Sequence, residues 1–386
     1  MLLPPIALLI SVSAIGPFVL NGVLPANTAV MTDLESSYSL VQLVLTVFLI
    51  ASLLGQLTLG HAADTWGRRP VLIGSLLVFS IGGVICAIAP AIEWLLLGRF
   101  IQGFGASTCM FIPRTIVRDV YTRDRAASVI GYMTTAMMIA PLFGPAIGGW
   151  VTDNLNWRLL YVGLAVLGFV LSLLAWRFQH ETLRHQATEQ LPVSWFNSAA
   201  RLLSEREFVI YVLMMMGSVG VYYCFLAAAP YVVMESRGYS ATVYGRWFAV
   251  VAIGYLSGNL IAGRFSQQFG VEAMTRLGLI PFFIAVLLFW LLSTSSHPAA
   301  LFVPMSMVAF SNGATLPNML SAAMSVRPEL SATASGVAGG LQIGFGVVAS
   351  LVLGIVLPYG DYWMFVAVSI AGLICLFGYM LNRETS

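Results

Sequence analysis

Apolar positions in this chain fall in long, nearly unbroken runs. They show neither the alternation of a half-buried strand nor the narrow stripe of a soluble amphipathic helix. A membrane-crossing helix needs about 20 apolar residues, and about twelve runs of that length follow one another. The first set is placed at 5–26, 40–61, 70–90, 94–114, 126–150 and 157–177. The second is placed at 208–230, 242–263, 274–295, 299–323, 333–357 and 362–382. Between them, 178–207 is the longest polar stretch, with Glu181, Arg184, His185, Glu189, Arg201, Glu205, Arg206 and Glu207. It reads as a linker, partly helical along the membrane surface. The pattern predicts an all-α integral membrane protein with an N-terminal six-helix bundle (1–177), a cytoplasmic linker (178–207) and a C-terminal six-helix bundle (208–386).

Composition sharpens this picture. Only 9% of the 386 residues are charged and 59% are hydrophobic, whereas soluble domains carry about 25% charge. The net charge of +2 is too small to suggest nucleic acid. All 18 basic residues are arginines, and no function attaches to that. Cys86, Cys109, Cys224 and Cys375 each lie inside an apolar run without metal-ligand spacing, so neither disulfide nor metal is expected. The start, Met-Leu-Leu-Pro-Pro, lacks a basic region and a small-residue cleavage site, so the first span is expected to be retained. Histidines are scattered at 61, 180, 185 and 297, and no catalytic triad or phosphate-binding loop stands out. Neither enzyme activity nor a cofactor is expected.

Arginine placement gives the orientation. With both termini cytoplasmic, Arg68, Arg69, Arg114, Arg118, Arg123, Arg125, Arg177, Arg184, Arg201, Arg206, Arg264, Arg276, Arg327 and Arg383 fall inside. Only Arg158, Arg237 and Arg246 fall towards the outside, while Arg99 lies within a span. Fourteen against three satisfies the positive-inside rule. The stretch Gly55-Gln-Leu-Thr-Leu-Gly60-His-Ala-Ala-Asp64-Thr-Trp66-Gly67 recurs 203 residues on as Gly258-Asn-Leu-Ile-Ala-Gly263-Arg-Phe-Ser-Gln267-Gln-Phe269-Gly270, with three glycines, a leucine and an aromatic kept. Gln267 replaces Asp64 in the copy, so the acid belongs to the first half alone.

Four clusters carry candidate chemistry. Between spans two and three, Gly60 is expected to let two helices approach and Gly67 to permit a tight reversal. Asp64 sits where it can bridge to another helix, with Arg68 and Arg69 in the aqueous phase. In span four, Arg99, Gln102, Gly103 and Ala106 share one helical face. An intramembrane arginine marks function by default, the bland alternative being a side chain that snorkels to the outer interface. In span five, Pro141, Gly144, Pro145, Gly148 and Gly149 combine kinks with small-x-x-x-small packing surfaces. At the inner end of span four, Asp119 is positioned to pair with Arg68 as a cytoplasmic gate, the bland reading being a solvated ion pair worth about 0–1 kcal/mol.

Taken together, these stretches resemble the major facilitator superfamily. G-x-x-x-D-x-x-G-R-R from Gly60 to Arg69 resembles its loop 2–3 signature, and R-x-x-Q-G at Arg99 resembles the helix 4 signature of its proton-coupled drug exporters. G-P-x-x-G-G from Gly144 resembles a signature of exporters rather than importers. Arg118-Asp119-Val-Tyr121, Gly313-Ala-Thr-Leu-Pro317-Asn318 and 332–342 extend the likeness to the Bcr/CflA-like drug:proton antiporters, over nearly the whole chain except the linker. The resemblance implies the major facilitator fold, two pseudo-symmetric bundles around a midplane site. It also implies a multi-pass monomer of the bacterial inner membrane with protons and a small, partly apolar, drug-like compound as partners. Arg99 would couple proton traffic to substrate.

One position departs from the family pattern. Span one of that branch carries an aspartate four residues before a proline, and here the residue is Asn21, before Pro25. An amide cannot titrate. Three readings stand: coupling through an outer carboxylate such as Asp33, or no proton at all; an aspartate replaced by Asn21 to mimic its protonated state; or Asn21 as a substrate hydrogen-bond donor. Tyr222, Tyr255, Asn312 and Gln342, with Tyr223, Asn259 and Asn318, are weaker substrate-binding candidates of the second half. Each is more often an interhelical hydrogen bond than a ligand contact. Met133, Met137, Met138, Met214, Met215 and Met216 offer a pliable wall but more often pack against helix or lipid. The reading is a secondary active exporter of small drug-like compounds by alternating access and proton antiport, with Asn21 the position that puts the coupling in question. Its rivals are an exporter of one metabolite or metallophore, an uncoupled variant, and a non-transporting membrane sensor.

Overall fold

A computed structural model describes residues 5–121, 129, 133, 137, 139–183, 195–327 and 330–383. The first span is α1 (Ile6–Gly22), a 3₁₀ turn (Leu24–Ala26) and α2 (Asn27–Asp33). Pro25 opens the turn, where its missing N–H costs nothing. Then come α3 (Tyr38–Trp66), α4 (Arg68–Ala87), α5 (Ile92–Val120), α6 (Ile139–Asn154) and α7 (Arg158–Phe178). The second set is α8 (Trp195–Ser204), α9 (Arg206–Pro230), α10 (Ala241–Leu291), α11 (Ala299–Val326), α12 (Ser331–Val356) and α13 (Tyr362–Arg383). Among the described residues, eleven segments are long and apolar enough to cross a membrane. The remaining expected span is the fifth, most of whose first part, before Ile139, lies outside the described residues.

Local chemistry sets several boundaries. Ser37 caps α3 through Leu40 N–H. The α5 helix carries Glu93 in its first turn and Arg118 in its last, opposing its dipole. Spans two and three are separated by one residue only, Gly67, at φ +106°. Spans eight and nine, expected at 242–263 and 274–295, are two helices, drawn together as α10, that meet at the non-helical Gly270 (φ +80°). The loop expected there fails because its polar residues continue the helix on both sides of the glycine. Gly67 and its repeat counterpart Gly270 thus both take positive φ, which a side chain rarely adopts. Part of the linker is the ten-residue α8, with Ser198, Ala199 and Leu202 buried.

The chain forms two compact units, one of Met1–Gln186 with Gly238–Ala249, the other of Ala187–Arg237 with Val250–Ser386. In the first unit, α5 is gripped between α3 and α4 through glycines. A β-carbon on Gly103 would meet Phe48 O at 2.6 Å, and one on Gly105 would meet Phe79 N at 2.5 Å. In the second unit α9 sits against α13, where a β-carbon on Gly217 would overlap Cys375 N. Close approach rather than hydrophobicity holds such helices together inside lipid. Gly60 does not contribute to this: its missing β-carbon faces open space among the described residues.

Candidate functional site

The first unit concentrates the buried polar groups at Arg99. Its side chain is fully enclosed, 0% exposed, so it does not snorkel. Nε donates to Val44 O at 3.2 Å, Nη1 donates to Gln102 Oε1 at 2.7 Å, and the guanidinium lies 4.3 Å from the Phe48 ring centre. An arginine at mid-membrane costs about 3 kcal/mol on insertion scales. Hydrogen bonds to a charged group return about 1.5–3 kcal/mol each, and a desolvated cation–π contact about 2 kcal/mol. These contacts offset part of that cost. Arg99 Nη2 and Gln102 Nε2 nevertheless have no partner, and no carboxylate pairs with Arg99 among the described residues.

Asn21, buried at 2% exposure, donates through Nδ2 to Pro17 O at 2.8 Å. Its neighbour Gly22 is the contact point for α6. A β-carbon on Gly148 would overlap Gly22 O, and one on Gly144 would meet Phe18 O at 3.2 Å. Residues one step further on face elsewhere: Gly149 abuts Ala241 O, and Pro145 O abuts Gly245. So α6 presents two small faces, Gly144/Gly148 to α1 and Pro145/Gly149 to the segment after Gly238. Asp153 fastens that second contact by accepting Ala241 N at 3.2 Å and Thr242 N at 2.6 Å, capping the start of α10. Pro141 lies in α6, but its side chain is outside the described residues, as is that of Asp64.

At the Gly67 end, Arg68 Nε meets Asp119 Oδ2 at 3.3 Å, the pairing expected from sequence. Arg68 is buried rather than aqueous, at 9% exposure, because the stretch after α7 covers it. Thr182 Oγ1 donates to the same Asp119 oxygen at 3.2 Å, and Arg69 Nη2 to Trp176 O at 2.6 Å. Glu181 is the residue sequence reasoning missed. Its carboxylate accepts Arg68 N at 3.0 Å, Arg69 N at 3.1 Å, Thr182 N at 2.9 Å and Leu183 N at 2.8 Å. Burial works against its ionisation, but the amides of Leu183, Arg68, Arg69 and Thr182 outweigh it and hold the carboxyl below its ordinary range. The available signal was α4 itself, whose N-terminus follows a glycine and has no cap of its own.

Asp33 is engaged at the other end. It forms an ion pair with Arg158 and accepts Trp157 Nε1–H at 3.2 Å, while Arg158 Nη2 donates to Ala89 O at 3.0 Å. In the second unit, Asn312 pairs with Ser218 across α11 and α9, the bland alternative for that residue. Gln342, Asn259 and Asn318 bond back to carbonyls of their own helices. Tyr222 and Tyr255 are half-buried, Tyr222 lying 6.1 Å from Tyr223. Met133, Met137, Met214 and Met215 are buried as packing.

The profile of the Major Facilitator Superfamily matches residues 6–346 and, in a second match, 213–386. The chain is 29% identical over 389 residues to the uncharacterized MFS-type transporter YdgK of Bacillus subtilis (strain 168), covering 98% of this chain and 96% of that one. It is 25% identical over 344 residues to the bicyclomycin resistance protein homolog of Haemophilus influenzae, covering 87% and 85%. A crystal structure of a bacterial homologue of the human lysosomal transporter Spinster superposes with a TM-score of 0.78 at 16% identity, covering 98% and 96%.

Proposed function

The chain belongs to the Major Facilitator Superfamily, and from that membership we propose that it exports small, partly apolar, drug-like compounds by alternating access. The observation that carries export is the two-faced α6, which grips α1 at Gly22, one residue from Asn21. Its G-P-x-x-G-G sequence resembles a signature of exporters, and relatives named for bicyclomycin and multidrug resistance are in keeping with it. The membrane is the bacterial inner membrane, with both termini cytoplasmic by the arginine distribution. Asn21, Tyr222, Tyr255, Asn312 and Gln342 are the proposed substrate contacts. The Gly67 cluster is the proposed cytoplasmic gate, and the two six-helix halves are its moving parts.

Proton antiport needs a group that titrates. Among the described residues every carboxylate of a span lies near an end, and Asp33 is tied to Arg158. An ion pair favours the charged form of an acid, which makes Asp33 a poor proton carrier. Arg99 meanwhile pairs with no carboxylate among the described residues. We therefore assign coupling to position 21 and read this chain as an exporter that has lost it. The test is drug-driven proton movement in proteoliposomes with a trapped pH dye, comparing the chain with Asn21→Asp. Drug flux from both forms and proton flux from Asn21→Asp alone is expected. Proton antiport by the unchanged chain would overturn the assignment, and absence of drug flux from both would overturn export.

A further inference from the structure

We propose that a groove beside Gly270 in the second unit holds an acyl chain of an anionic glycerophospholipid, with the phosphate at Arg264. The groove lies where α10 breaks and runs against α11. Ile261 and Phe265 precede the break, Phe269 and Leu277 follow it, and Phe310 and Ala314 come from α11. It encloses about 380 Å³, within the range of small-ligand pockets. Ile261, Phe269 and Leu277 are exposed, the last two at 57% and 58%. The groove therefore opens sideways through surface that hydrocarbon, not water, would cover. An apolar wall left to water is unfavourable at about 25 cal/mol per Å², and a hydrocarbon chain removes that cost.

The headgroup chemistry comes from the arginines flanking the groove. Arg264 is exposed, adjoins the lining residue Phe265 with its guanidinium 5.9 Å from that ring, and pairs with no carboxylate among the described residues. Arg276, on the other arm of α10, is already neutralised by Glu272. One uncommitted cation at the mouth of an apolar groove suits a phosphodiester above an acyl tail, as basic pockets between spanning helices do. At the repeat-related position of the first unit, the Glu181 carboxylate lies against Gly67 instead.

Phe310→Trp places a fluorophore on the groove wall at a half-buried, aromatic position, with Phe265→Trp as the second reporter should the first not fold. Each is reconstituted into vesicles doped with phosphatidylglycerol or phosphatidylcholine brominated on the acyl chains, and quenching is corrected with the unsubstituted protein. Brominated phosphatidylglycerol is expected to quench at roughly fivefold lower mole fraction, the effect of one interfacial charge. Arg264→Ala should abolish that preference, Arg264→Lys should keep it, and Arg276→Ala should leave it intact. Equal quenching by both lipids, or no quenching by either, overturns the proposal. So does loss of the preference with Arg276→Ala, which would make it a general surface-charge effect.

Discussion

Gly67 and Gly270 occupy equivalent places in the repeat and have nearly the same backbone, φ +106° and +80° with ψ 155° and 162°. Their surroundings differ completely. Around Gly67, Glu181, Thr182, Asp119 and Trp176 close an ionic and amide network over the start of α4. Around Gly270 nothing lies within reach of an added β-carbon among the described residues, and an apolar groove opens alongside. Both sites kept the glycine because a helix reversal of one residue requires positive φ. Among the described residues, only the first has a carboxylate that caps the following helix. The backbone reversal and the network around it are therefore separable, and it is the network on which the proposed gate rests.

The sharpest way to break this contrast is Gly67→Ala. The new β-carbon meets both backbone strain, about 1–2 kcal/mol, and the Glu181 carboxylate, so the expected loss exceeds 2 kcal/mol by thermal unfolding in detergent. Gly270→Ala has the strain without the clash and should cost only about 1–2 kcal/mol. Equal losses would show that Glu181 gives way freely.

Glu181→Ala removes a helix cap and should cost about 1 kcal/mol. It should also remove an acid-sensitive component of stability. Because the folded-state carboxyl titrates below its unfolded value, its contribution is present above the ordinary glutamate range and is lost as pH falls through the lower, folded value. Unfolding curves of the parent, but not of Glu181→Ala, should show that component on acidification. Asp119→Asn, which removes the charge from a mostly buried pair but keeps an oxygen that Arg68 and Thr182 can donate to, is expected to cost about 1 kcal/mol. Its larger consequence should be in the rate of transport, if breaking that pair opens the gate.

Much of this was legible in the sequence. The spans follow from run length, because lipid forces every backbone group to be satisfied within its own helix. The 203-residue repeat identified both reversal glycines, and the proximity of Asp119 to Arg68 followed from their placing at neighbouring helix ends. What was not legible depended on partners distant in sequence. Glu181 lies 113 residues after the N–H of Arg68 that it accepts, and Asp153 lies 88 before that of Ala241. In the sequence both looked like ordinary solvated acids.

The sequence by itself determined the lipid-crossing helices, the family, and the placing of an amide at position 21 where a proton carrier was expected. Hydropathy, glycine and charge act over one helix or one turn, and a linear pattern records them. Tertiary structure alone decided that Arg99 is sealed with no carboxylate beside it among the described residues, that α6 offers different glycines to two neighbours, and that Glu181 caps one of two like reversals. These are matters of which surfaces meet. A carboxylate gains its role from backbone N–H groups that only folding brings within 3 Å or so of it.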